Sequence, residues 1–64
     1  MNLSKEKIKL VMARNELTVT ELAERCKLSR QRINHIFNSK NVAPKTAGKI
    51  ARALECDVTD IIES

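Results

Sequence analysis

Within the nine residues from Arg30 to Asn38 the chain places Arg30, Gln31, Arg32, Asn34, His35 and Asn38. These side chains suit reading base edges: a guanidinium pairs with guanine O6 and N7, and a carboxamide of Gln or Asn pairs with adenine N6 and N7. Between them Ile33, Ile36 and Phe37 recur at helical spacing. At about 100° per residue, Gln31 and His35 stand opposite that apolar stripe, Asn34 and Asn38 to one side and Arg32 to the other. Arg30 flanks the exposed face at the first turn. The same set also suits an ordinary hydrated helix surface. What decides between the two is the set of elements that present it.

Ser29 is placed to cap the helix carrying this set. Before it, Thr18-Val19-Thr20-Glu21 has the spacing of a capping box, and Leu22, Ala23 and Cys26 follow on one face. Only Lys27-Leu28-Ser29 separates the two helices, a connection so short that they must cross steeply and leave the second facing outward. Upstream, Ser4 caps a first helix with Glu6 in its first turn and Ile8, Val11, Met12 and Asn15 on one face. Leu3 and Leu10 share a second face, expected to pack under the C-terminal end of the chain. Downstream, Asn38-Ser39-Lys40-Asn41 forms a polar turn, Pro44 suits the first position of a fourth helix, and Ala47, Ile50, Ala51 and Leu54 are its buried side. Asp57 is expected to cap a fifth helix carrying Val58, Ile61 and Ile62. The expectation is an all-α, compact, five-helix single domain over residues 1–64.

The charge pattern agrees. From Arg25 to Leu54 there is no Asp or Glu, and Arg25, Lys27, Arg30, Arg32, Lys40, Lys45, Lys49 and Arg52 give that stretch +8. The rest carries four basic against eight acidic residues, with Glu55, Asp57, Asp60 and Glu63 after Leu54. A basic middle between acidic flanks fits a polyanion-binding surface. With 64 residues, 42% apolar and one aromatic, the chain fits one small helical domain and excludes disorder or a Gly/Pro-rich β-sandwich. No apolar run approaches the ~18 residues of a membrane span, and no signal-peptide core is present. Cys26 and Cys56 form no C-x-x-C pair and, with one His, cannot build a structural zinc site. No metal, no cofactor and a reducing cytoplasmic setting are therefore expected. An enzyme is not: His35 has no nucleophile near it in sequence, Cys26 lies in an apolar stripe, and there is no Gly-rich phosphate loop. Cys56 precedes a helix cap, which raises redox sensing through a lowered thiol pKa, with packing the favoured role.

The run LTVTELAERCKLSRQRINHIF, Leu17 to Phe37, resembles the helix-turn-helix of the Cro/phage-repressor (XRE-type) transcription regulators. Leu22-Ala23 resembles their second helix, Ser29 their cap, and Ile33 and Ile36 their buried third-helix positions. Ile50-Ala51-Arg52-Ala53-Leu54 and Val58 to Ile62 resemble their fourth and fifth helices. The resemblance spans roughly Ile8 to Ile62 and is carried by joint order and spacing. It implies a lambda-repressor-like DNA-binding domain with base reading at Arg30, Gln31, Arg32 and His35, which Asn34 joins by its place beside the exposed face. It further implies phosphate contacts from Asn38, Lys40, Lys45 and Thr46; Thr18 and Thr20 beside Val19, Lys27 in the turn and the capping Ser29 join them as candidates from their own positions. The chain departs from the family at Val19, where Gln is frequent, and at Lys27, where Gly is usual. It departs also at Met12 and Phe37, an apolar pair where many members join Arg to Glu.

Two functions follow as expectations. The first is a sequence-specific regulator, a repressor, binding double-stranded DNA as a homodimer through Glu55 to Ile62, with regulation by concentration, a regulatory protein partner or proteolysis. The second is a protein-interaction module, such as the antitoxin half of a toxin–antitoxin pair, with Leu3 and Leu10 docking the partner. Single-strand binding is disfavoured, since such proteins stack bases on exposed aromatics and Phe37 is expected to be buried.

Overall fold

The computed structural model describes residues 1–39 and 41–63. Four α-helices and one 3-10 turn follow in order: α1 (Lys5–Arg14), α2 (Val19–Cys26), α3 (Arg30–Asn38), α4 (Pro44–Ala53) and the turn Val58–Asp60. Their starts are written in the local sequence. Ser4 Oγ accepts from the Lys7 amide, Ser29 Oγ from the Arg32 amide, and Thr18 and Glu21 form the reciprocal capping box. Pro44 opens α4, whose N-cap Ala43 supplies no side-chain hydrogen bond.

The ends of α1, α2 and α4 share one device. Glu16, Lys27 and Glu55, following α1, α2 and α4, are left-handed, with φ of 52°, 58° and 57°. In each case the next residue's amide reaches back to the last turn: Leu17 to Met12 O at 2.9 Å, Leu28 to Ala23 O at 3.0 Å and Cys56 to Ala51 O at 3.0 Å. This is the Schellman closure, which satisfies free carbonyls and folds an apolar side chain back over the helix end.

The helices bury one stripe each. Leu22, Ile33, Ala47, Ile50, Leu54 and Ile61 are wholly excluded from solvent, surrounded by Ile8, Val11, Met12, Cys26, Ile36 and Ala51. α2 packs against both α3 and α4, while the 3-10 turn packs against α4 and α1. Asn15 ties α1 to α4: its amide donates to Val11 O at 3.1 Å and to Leu54 O at 3.0 Å.

The expected fifth helix does not form. Asp57 caps as expected and forms a capping box with Asp60, but only a 3-10 turn follows. The chain then leaves to pair with its own N-terminal segment. Ser4 N donates to Ile61 O at 2.7 Å, Glu63 N to Asn2 O at 2.9 Å, and Leu3 bridges Ile62 in antiparallel fashion. Backbone groups committed across the molecule cannot also propagate a helix. The same pairing separates Leu3 from Leu10: Leu3 is buried ahead of α1, whereas Leu10 on α1 is 67% exposed. Phe37, expected in the core, is half-buried at the edge of α3.

Candidate nucleic-acid interface

α3 is held from below by Ile33 and Ile36, which are buried, and at its start by the Ser29 cap. Its other face carries Arg30, Gln31, Arg32, Asn34 and His35, all exposed. Gln31, Arg32 and His35 share one shallow concavity with Ser29, placing three hydrogen-bonding side chains side by side. With its side chains this nine-residue helix is about 10–12 Å across, which fits a major groove ~12 Å wide. The three-residue connection turns at Lys27, whose φ of 58° and ψ of 39° lie in the left-handed region. A lysine there costs roughly 1 kcal/mol relative to glycine, and Lys27 is exposed in the turn just before α3.

The residues expected at phosphates occupy several helix ends. Thr18 and Thr20 lie at the exposed start of α2. Thr18 Oγ1 accepts from the Glu21 amide and donates to Glu21 Oε1 at 3.1 Å, so its proton is committed within the capping box. Ser29 Oγ accepts from Arg32 N at 3.0 Å. Asn38 ends α3, and Lys40 lies outside the described residues. Lys45 and Thr46 fall in the first turn of α4, where no side chain caps the helix. Their amides therefore point outward without intrahelical acceptors, the arrangement that holds a phosphate oxygen.

One cation joins this edge from a distant part of the chain. Lys5 Nζ donates to Asn38 Oδ1 at 2.7 Å, bringing the α1 ammonium to the end of α3. The two residues are 33 positions apart, and nothing in local spacing signals the contact. The basic middle of the sequence, in contrast, does not form one surface. Arg25, Lys49 and Arg52 gather in a separate concavity with Ala53 and Glu55, and Arg25 Nη1 donates to Ala53 O at 3.1 Å, closing the end of α4. Arg25 is thus tied to a structural carbonyl.

Neither thiol shows activation. Burial pushes the Cys26 thiol above its ordinary pKa, with Lys49 partly offsetting it. Cys56 is likewise raised, first by burial and then by Asp60 and Asp57, with Arg14 opposing. The lowered pKa that redox sensing at Cys56 needs is therefore contradicted, because burial, reinforced by the carboxylates of Asp60 and Asp57, outweighs the opposing Arg14. Among the described residues no group of three or more His, Cys, Asp or Glu side chains is placed to hold a metal ion, and no helix is long and apolar enough to cross a membrane.

The family model of the Cro/C1-type HTH DNA-binding domain matches residues 7–64. No curated protein matches this chain. The matched span covers α2, the three-residue turn, α3, α4 and the 3-10 turn, together with all but the first two residues of α1. By that match and by the exposed, base-competent α3 set above a buried stripe, the chain belongs to the Cro/C1-type helix-turn-helix DNA-binding domain family.

Proposed function

We propose that residues 1–64 form a single DNA-binding domain of a cytoplasmic, sequence-specific regulator that represses by occupying its operator. The observation that carries this reading is the exposure of Arg30, Gln31, Arg32, Asn34 and His35 on one short helix whose opposite face is locked into the core. With α3 in the major groove, Gln31 and Arg30 are the strongest base readers, and Lys45, Thr46, Thr20, Lys27 and Asn38 hold phosphates on either side. The largest dimension of the domain is 26 Å, less than the ~34 Å between successive major grooves on one side of a duplex. One copy therefore reads one half-site, and a homodimer through Glu55 to Ile62 reads a pseudo-palindrome.

Selection of random duplex DNA by the purified protein, with affinity followed over a salt series, tests the proposal. The expected result is a motif of two half-sites about 10 bp apart. A single half-site would retain base reading and remove the dimer. Absence of any enriched sequence, with affinity lost near physiological salt, would defeat the whole reading.

The exposed Leu10 favours a second reading, a protein-docking module, because it stands beside Lys7, Arg14, Thr59 and Asp60 in a shallow concavity of its own. If that surface carries the function, Leu10→Ser abolishes activity in the host while DNA selection with the same variant is unchanged.

A further inference from the structure

A groove of about 530 Å³ separates α1 from α3, within the ~300–1,000 Å³ of sites that take small organic ligands. Three apolar residues that stand where the family pattern is often polar (Met12, Val19 and Phe37) come from three different helices and converge in it. Val19 and Phe37 are half-buried and Ala13 is exposed, so the floor is apolar and reachable.

The groove is polarised along α1. Lys5 and Lys9 stand one helical turn apart at one end, with Cβ atoms about 5–6 Å from each other. Ala13, Leu17 and Val19 continue the apolar floor away from them. That is a head-and-tail arrangement. Two adjacent ammonium groups suit one anionic head, whereas an acidic helix of a partner protein would spread its charge along the apolar end as well. Asn34 and Asn38 of α3 form the facing wall, and Asn38 is bonded to Lys5, so an occupant touches the helix proposed to enter DNA.

We propose that this groove binds a free medium-chain aliphatic carboxylate, its head on Lys5 and Lys9 and its tail over Ala13 and Val19, and that occupation displaces DNA. The displacement rests on the DNA-binding reading above; the binding does not.

The probe is decanoate, kept below its aggregation threshold and titrated into ¹⁵N-labelled protein without DNA. Saturable shifts confined to amides of α1, Val19 and Asn34 to Asn38 are expected, with decanol binding more weakly. Lys9→Ala, which removes half of the head-group site, and Ala13→Phe, which fills the groove, should each weaken binding about tenfold. Both positions are exposed, so both variants should keep the wild-type helical circular dichroism. Shifts that fail to saturate, scatter over the molecule, ignore both variants or appear equally with decanol overturn the site. Concentration-dependent shifts of the same amides before decanoate is added would also overturn it, because a second copy then fills the groove. Adding decanoate to the complex with a selected duplex should release the DNA. Retention of DNA with the groove saturated overturns the displacement and leaves the site standing. A protein that binds no DNA still reports on the groove, so the two failures are distinguishable.

Discussion

Lys27 carries two properties at once, a strained backbone and a free charge, and they can be separated. Its left-handed φ of 58° predicts that Lys27→Gly stabilises the domain by about 0.5–1 kcal/mol in denaturant unfolding. If the ammonium touches a phosphate, the same variant binds every duplex more weakly, with a salt slope lower by about one. The α3 side chains behave differently: Gln31→Ala and Arg30→Ala should each lose ~1–3 kcal/mol on the selected site and relax one base preference. Lys45→Ala should instead weaken all sequences alike, and identical behaviour of the two groups would refute direct readout. The thiols give a pH prediction. Both folded pKa values lie above the ordinary 9.0, so the protonated thiols' contribution is complete below pH 9 and is lost as pH rises through the folded values. Unfolding measured from pH 8 upward should show this alkaline loss, and Cys56→Ser should reduce it.

At the scale of elements, the helix starts were legible because capping is local: Ser4, Thr18, Ser29 and Asp57 all cap as their spacing predicts. Thr18 marks the boundary of such reading. Its type and place suit a phosphate contact, yet its hydroxyl closes the capping box with Glu21. Thr18→Ala is therefore expected to destabilise the fold by ~1 kcal/mol, and to leave the DNA affinity of the folded protein at fixed salt unchanged. A loss of affinity shared by all duplex sequences would restore the phosphate role. The ends of α1, α2 and α4 were harder to read, since left-handed closure is commonly signalled by Gly and here falls on Glu16, Lys27 and Glu55.

For the whole molecule, the pairing of the first and last segments is the main organising contact beyond the helices. Leu3 is 6% exposed, and Lys7 Nζ adds a bond to Ile62 O at 3.0 Å. A domain this small buries only about 60% of its unfolded surface, so one buried leucine is a large share of its net stability. Leu3→Ala should lower unfolding free energy by about 2–4 kcal/mol, while Leu10→Ala, at a 67% exposed position, should stay within about 0.5 kcal/mol. Equal losses at the two positions would mean that Leu10 is covered in solution by a second copy.

The helical class, the α2–turn–α3 unit and the outward face of α3 are all legible in the order of the residues. Each rests on interactions within one or two helical turns, where periodicity and capping residues report directly on the backbone. Ile33 and Ile36 point to the core because their spacing leaves them no other face. Packing across the molecule is what pairs Ile61 and Ile62 with Ser4 and Leu3, brings Lys5 to Asn38, and lines one groove with Met12, Val19 and Phe37. It likewise divided the basic run, drawing Arg25 away to the end of α4. Those outcomes join residues far apart in the chain, and they are set by which surfaces meet when the helices pack, a choice that no local period records.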